Sequence, residues 1–329
     1  MTLPAYTEDL GHQIYAIDTG FERERFDAAY LVIDSGRAAF IDTGHNAAMP
    51  RLLETLAALG LSRDTVDWVI PTHVHLDHAG GAGRLMTHLP LARALIHPRG
   101  ARHLIDPLAL VEGARAVYGV DAVRQTYGTV EPIPAQRVVE SHDGMEVLIG
   151  QRPLKLIDTP GHARHHHCLW DERSRGWFTG DTFGISYREF DTAAGPWMFP
   201  STTPVQFDPQ ALRQSIHRLL LAEPQVLYPT HFSRVANVPR VAAQFLALLD
   251  QFVSGALAVR AECPTDRSER AKRLEVMVAS ALLASARQAG IALADAEVLA
   301  LLQMDVTLNA QGINVWLSHG TARETDMTG

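Results

Sequence analysis

The stretch Thr72-His73-Val74-His75-Leu76-Asp77-His78 sets three histidines and one aspartate into six positions behind the apolar run Trp68-Val69-Ile70. If that run is a buried strand, a period of two keeps His73 and His75 on one side as it ends, where two imidazoles can share one ion. Asp77 and His78 follow after the chain has turned, so they would face a second ion. The next residues, Ala79-Gly80-Gly81-Ala82-Gly83, give a small-residue helix start where backbone can approach closely. Imidazole and carboxylate suit zinc, iron, manganese or nickel. The plainer reading is a polar loop with scattered histidines, and the density of ligand-type side chains argues against it.

Upstream, Gln13 to Ile17 and Ala28 to Ile33 read as strands, and Asp34-Ser35-Gly36-Arg37 is a turn into Ala38 to Ile41, so the chain opens as an antiparallel meander. Leu52, Leu53, Leu56 and Leu59 keep helical spacing over Ala47 to Leu59, ending at Gly60. Beyond the motif come a short helix from Ala82 to His88, a strand from Ala94 to His97, and helical stretches from Pro98 to about Gly119. A second half repeats the style. Strands are expected near Val138, Val147, Leu154 to Ile157, His167 to Trp170 and Gly176 to Thr179, then a helix from Pro209 to Leu221 and a strand at Val226 to Tyr228. Two sheets with covering helices predict a four-layer αββα sandwich with the metal site at one sheet edge, where strand ends converge.

After Val241 the spacing of Phe245, Leu248, Leu249 and Phe252 is helical, and Asp266 with Glu269 can cap a helix running to about Gln288. Val306 to Ser318 fits strand or helix equally. The expected division is a catalytic domain over 1–240 and a mostly helical extension over 241–329 that covers or flanks the active site.

The chain has 329 residues, 47% of them hydrophobic, enough for a sizeable core. A formal charge of -8 disfavours a protein that tracks a nucleic-acid backbone. Lys155 and Lys272 are the only lysines, a feature given no functional weight. Cys168 and Cys263 are too few for a disulfide framework, which fits a reducing compartment. The N-terminus lacks a basic start and an apolar stretch, and no later run approaches ~20 apolar residues. These observations predict a cytoplasmic protein acting on a small-molecule substrate, with neither nucleic acid nor membrane as partner. Its oligomeric state is open, a homodimer included.

Three later strand ends carry polar residues in similar settings. Leu156-Ile157-Asp158-Thr159-Pro160-Gly161 leads to His162, Trp177-Phe178-Thr179-Gly180 to Asp181, and Val226-Leu227-Tyr228-Pro229-Thr230 to His231. In this order THVHLDH, TPGH, FTGD and PTH resemble the metallo-β-lactamase-fold superfamily of metallohydrolases, over roughly residues 12 to 235. The resemblance implies the αββα fold, in the branch of glyoxalase II, lactonases and thioesterases with a C-terminal helical extension. It further implies that His73, His75 and His162 hold one ion, that Asp77, His78 and His231 hold the other, and that Asp181 bridges both. The cofactors so implied are two divalent transition metal ions, zinc first, with iron or manganese as alternatives. No glutamate replaces a histidine of the first motif, as happens in the flavodiiron branch, so a redox di-iron centre loses ground.

Two metals ~3.5 to 4 Å apart can hold a bridging hydroxide near neutral pH and polarise the carbonyl it attacks. Asp77 is the candidate catalytic residue, orienting that hydroxide. Asp42, ending Phe40-Ile41-Asp42, and His166, four residues after His162, stand where relatives often have groups that hydrogen-bond behind the ligands. An ordinary turn aspartate is an equal reading of Asp42, and His165 and His167 have no such counterpart. After Asp181, the aromatic-rich stretch 182–207 offers Phe183, Tyr187, Arg188 and Trp197 as substrate-pocket candidates, with loop packing as the plainer account. Arg260, Arg267, Arg270, Lys272 and Arg273 form a basic cluster that reads first as a solvated helix face.

The leading expectation is a binuclear hydrolase of ester, thioester or lactone bonds. The alternatives are a mononuclear iron enzyme of the persulfide-dioxygenase kind, a metal-bearing non-catalytic effector, and a phosphodiesterase of small molecules.

Overall fold

A computed structural model describes residues 2–326 of the chain, with side chains described through residue 318. Two compact units emerge. The first takes the chain up to Thr159 together with His165–Gly180 and Ala222–Val235, and the second takes Pro160–Arg164, Asp181–Leu221 and the chain from Ala236 onward.

The first unit opens with β1 (Thr7–Asp9), β2 (Ile14–Asp18), β3 (Ala28–Asp34) and β4 (Arg37–Ile41), paired in sequence as antiparallel neighbours. Helix α1 (Met49–Ala58) then carries the chain to β5 (Val66–Ile70), which pairs parallel to β4. The short α2 (Leu76–Ala79) and α3 (Ala82–His88) lead to β6 (Arg93–Ile96), and α4 (Pro98–Ile105), α5 (Leu108–Tyr118) and α6 (Val120–Tyr127) lead to β7 (Val138–Glu140). These seven strands form one sheet in chain order. A second sheet runs β13-β12-β11-β10-β9-β8, from β8 (Glu146–Ile149), β9 (Arg152–Asp158), β10 (His167–Asp171), β11 (Gly176–Gly180), β12 (Val226–Pro229) and β13 (Val235–Ala236).

Strand β3 shows why the opening strands read as unbroken apolar runs. Its Ala29, Leu31 and Ile33 join Leu52 and Leu56 of α1, Leu85 of α3 and Leu104 of α4 in one core. Its Ala28, Tyr30 and Val32 meet Val147, Leu154, Leu156, Leu169 and Phe178 of the other sheet in a second core. Both faces are buried, so polar alternation is absent. Helix, sheet and sheet therefore stack as layers within this unit.

The second unit is built from α7 (Pro209–Leu220), α8 (Val238–Glu262), α9 (Arg267–Gln288), α10 (Asp295–Leu301) and α11 (Gln303–Asp326). Asp266 caps α9 as expected, accepting the backbone N–H groups of Ser268 at 3.0 Å and Glu269 at 2.9 Å. The ambiguous stretch 306–318 is helical, within α11. Helix α8 is long and apolar enough to cross a membrane by length and composition, a property that a count of uninterrupted apolar residues passes over. Its Phe245, Leu248, Leu249 and Phe252 are buried within the unit, the four residues whose spacing marked the helix.

Gly119, read as the end of the helical region, lies at φ +90° and turns the chain from α5 into α6. A glycine stops one helix there without stopping the helical segment.

The second unit also contains the four residues expected near a pocket. Phe183, Tyr187 and Trp197 are fully buried there, packed with Phe190, Phe199 and Phe245. Trp197 donates its indole N–H to Ser285 Oγ at 3.0 Å, and the Tyr187 hydroxyl donates to Asp305 at 3.1 Å. Arg188 pairs with Asp191 at 3.3 Å. An aromatic-rich stretch without periodicity still buries its rings when helices are available to pack on, so the three rings belong to the core of this unit. The basic cluster is likewise partly internal, because Arg270 is buried and donates to Asn314 Oδ1 at 2.6 Å and Ser318 Oγ at 3.0 Å.

Candidate metal centre

In the first unit the site grows from strand ends. Parallel strands β4 and β5 both terminate on the same side, and Asp42 follows the first while Pro71 stops the second, its missing N–H ending the ladder. The ligand motif therefore begins in irregular chain rather than on the strand. His73 and His75 still meet as the period of two suggested, with His73 Nε2 2.8 Å from His75 Nδ1.

Asp42 adopts φ +55° and is sealed from solvent. Its carboxylate accepts from the Thr72 backbone N–H at 2.7 Å, the Thr72 hydroxyl at 3.0 Å and the Thr230 hydroxyl at 2.6 Å. It also accepts the Nδ1–H of His78 at 3.0 Å. A buried carboxylate without such donors would carry a large desolvation cost, and these four groups offset it. Asp42 thus joins the ends of β4, β5 and β12 around the imidazole it holds.

His231 obeys the same rule, donating Nδ1–H to the Phe26 carbonyl at 3.0 Å. With Nδ1 spent on an oxygen, Nε2 carries the lone pair that can ligate, which is how protein fixes the tautomer of a metal-binding histidine. The Nε2 atoms of His78 and His231 lie 3.6 Å and 3.4 Å from Asp77 Oδ2. Asp77, His78 and His231 therefore present three ligand atoms within 4.8 Å of one another. A carboxylate and two imidazoles at that spacing suit a divalent transition metal.

The second unit carries the remaining two candidates. His162 donates Nδ1–H to the Ser201 carbonyl at 3.0 Å, and its Nε2 is 3.6 Å from Asp181 Oδ2. Gly161 just before it lies at φ +140°, and a Cβ there would come within 2.3 Å of the Leu212 backbone. The Pro160-Gly161 turn is thus a steric requirement of the histidine that follows. Asp181 is the residue directly after Gly180, the last of β11.

All three residues of the histidine triplet are buried. Strand β10 begins only at His167, so His165 and His166 precede it. His166 pairs Nδ1 with the Thr159 hydroxyl at 3.0 Å and stacks on His73 at 4.8 Å between ring centres. Gly180 permits this approach, because a Cβ there would sit 2.5 Å from His166 Nε2. His167 donates Nε2–H to the Pro71 carbonyl at 2.9 Å and accepts the Ser141 hydroxyl at 2.9 Å on Nδ1. Burial, reinforced by nearby His97, pushes its imidazole down to about 3, so it is neutral and clamps the start of the ligand stretch.

A further group escaped the sequence reading. Asp27 is fully buried and accepts the Thr19 hydroxyl at 2.8 Å, and burial pushes its carboxyl up to about 7 against the opposing pull of His231 and His78. Phe21, Phe26 and Tyr127 form a chain of ring contacts that reaches His231 through Phe26. Helix α6, which supplies Tyr127, lies beyond the Gly119 stop, and this is why the spacing gave no sign of it.

The family model described as metallo-beta-lactamase superfamily matches residues 23–231. Over 187 residues the chain is 28% identical to the metallo-beta-lactamase fold-containing protein ST1585 of Sulfurisphaera tokodaii, covering 56% of this chain and 66% of that protein. It is 31% identical over 188 residues to the acyl-coenzyme A thioesterase MBLAC2 of Bos taurus, covering 53% and 64%. It is 25% identical over 241 residues to the atrochrysone carboxyl ACP thioesterase of Aspergillus fumigatus, covering 73% and 57%. The chain thus spans less than two thirds of the length of these curated relatives. A crystal structure of the metallo-beta-lactamase family protein TTHA1429 from Thermus thermophilus shares the fold, with a TM-score of 0.65 at 21% identity, covering 95% of this chain and 96% of that one.

Proposed function

The chain belongs to the metallo-beta-lactamase superfamily, and from that premise we propose that it is a binuclear metal-dependent hydrolase of ester, thioester or lactone bonds. The observation that carries the reading is the group Asp77, His78 and His231, whose imidazoles are tied through Nδ1 to Asp42 and the Phe26 carbonyl while their Nε2 atoms converge on one carboxylate. Imidazoles anchored at Nδ1 and aimed together at a carboxylate are the arrangement a shared ion requires.

In this reading Asp77, His78 and His231 hold one ion, His73, His75 and His162 hold the other, and Asp181 serves both. Divalent ions bound there would supply an acidified water and a Lewis acid for the carbonyl oxygen. Asp77 orients the attacking water by accepting its hydrogen bond, and Asp42 keeps His78 in the ligating tautomer throughout. No side-chain nucleophile is required. Thioesterase names among the relatives favour a thioester over the other two bond types.

The test is a panel of esters, thioesters and lactones offered to zinc-loaded and manganese-loaded protein, with metal counted by mass spectrometry. Two ions per chain with turnover of one bond class are expected. Two ions with no turnover across the panel would defeat the proposal, and one iron per chain with oxygen uptake would point to an oxygenase instead.

A further inference from the structure

Helix α11 meets the ligand-bearing part of the second unit along one face. Asp305, Asn309 and Gly312 stand at i, i+4 and i+7, a spacing that aligns them on the helix. Asp305 accepts the Tyr187 hydroxyl, and one turn on Asn309 takes hold of Thr202. Asn309 Oδ1 accepts the Thr202 backbone N–H at 2.7 Å, and the Thr202 hydroxyl lies 2.7 Å from the same Oδ1 and 3.0 Å from the Asn309 carbonyl oxygen. Gly312 lets the helix come this close, because a Cβ there would sit 1.5 Å from the Thr202 carbonyl oxygen. Ser201, Thr202 and Asn309 are all buried, so water competes little for these bonds.

The backbone N–H of Thr202 and the carbonyl of Ser201 belong to one peptide group, and its planarity holds the two rigidly opposed. On its N–H side the group donates to Asn309, and on its C=O side it accepts the Nδ1–H of His162 at 3.0 Å. Asn309 therefore stands two hydrogen bonds from the imidazole. The Ser201 hydroxyl donates to Asp181 Oδ2 at 3.4 Å, so residue 201 supports both candidate ligands of this unit. Hydrogen bonds in such a chain polarise one another, and the pull of Asn309 on the N–H adds negative charge to the Ser201 oxygen. A stronger acceptor behind Nδ1–H makes Nε2 a better donor to a metal.

We propose that Asn309 is a positioning residue for the metal centre, acting through the 201–202 peptide to fix the Nδ1–H tautomer of His162 and strengthen its Nε2 as a donor. The proposal rests on His162 being a ligand, as in the reading above, and gives the C-terminal helix α11 a part in metal binding.

Two variants of the full chain separate this relay from packing. Asn309→Leu keeps similar bulk and removes the acceptor, whereas Asn309→Asp keeps the acceptor and adds charge to it. Zinc affinity is measured by competition with a chromophoric chelator, and the His162 tautomer in metal-free protein by imidazole nitrogen NMR. Asn309→Leu should weaken zinc binding about 3-fold to 10-fold, the range of one hydrogen bond, and shift His162 partly to the Nε2–H tautomer. Asn309→Asp should bind zinc at least as tightly as wild type and keep the Nδ1–H tautomer, a rescue that packing alone would not give. Wild-type affinity and tautomer in Asn309→Leu overturn the proposal, as does a loss in Asn309→Asp equal to that in Asn309→Leu. Should Asn309→Leu not fold, metal-free wild type still decides, because a His162 found there as the Nε2–H tautomer overturns the relay. Wild type that shows the expected shifts yet cleaves no ester, thioester or lactone leaves the relay standing and removes the hydrolase reading. Turnover by wild type, with zinc affinity and tautomer unchanged in Asn309→Leu, removes the relay alone.

Discussion

The Asp42 carboxylate accepts the Nδ1–H of His78 at 3.0 Å while both side chains are sealed from water, so the carboxylate fixes the tautomer of the imidazole. Replacing Asp42 with Ala removes the acceptor and strips Thr72 and Thr230 of their common partner. Metal affinity should fall about 10-fold to 100-fold, as for other groups that orient a ligand from behind. Competition with a chromophoric chelator measures it, and an unchanged affinity would show that His78 needs no such support.

Asp181 is the candidate bridge between ions. Asp181→Ala should lower metal content and turnover together, because a bridging carboxylate contributes to both sites. Mass spectrometry of the purified variant decides the matter: full metal content with lost activity would remove its bridging role.

Stability depends on a pair far from the ligands. Arg152 grips Asp171 in two parallel bonds of 2.7 and 2.6 Å, and both side chains are buried. Burial alone would raise the Asp171 carboxyl, but Arg152 and Ser174 hold it below the usual carboxylate range. Arg152→Ala leaves a buried charge uncompensated and should cost about 3–5 kcal/mol, whereas Arg152→Met with Asp171→Leu should cost less. Urea unfolding of the two variants reads the difference.

His167 gives the fold a pH dependence of known sign. Its folded value of about 3 lies below the 6.5 of an ordinary histidine, so the unfolded chain takes up a proton that the folded one refuses. Its contribution is intact above about 6.5 and is lost progressively as pH falls towards 3. Metal-free His167→Asn, though less stable at about pH 7, should show a shallower loss of urea midpoint over that window than metal-free wild type.

Much of the first unit was legible because its signals are local. The turn Asp34-Ser35-Gly36-Arg37 joins β3 to β4, and Ala82 to His88 is the helix expected there. Asp266 was readable as a cap for the same reason, since an aspartate's reach to the next backbone N–H groups is fixed by covalent geometry. Asp42 could be suspected from its strand-end position, but its bonds to Thr72 and Thr230 depend on β4, β5 and β12 meeting, which no window of sequence contains. The burial of Trp197 and Tyr187 was illegible for the opposite reason. Both lie in chain without periodicity, and partners such as Ser285 and Asp305 are distant in sequence. Tyr127 carried no motif, and its stacking on Phe21 joins residues too far apart for any local window to contain.

The parallel pairing of β11 with β12 has a consequence for the order of events during synthesis. Strand β12 delivers His231, about 150 residues after His78. At roughly 5–20 residues per second, the ribosome leaves Asp77 and His78 without their third partner for about 8–30 s. Throughout that interval the meander β1 to β4 can already be formed, since its pairings are between neighbours. Chains arrested before Val226 should therefore be folded at one end yet take up no ion at this group, so that metal uptake registers the addition of β12 to the second sheet.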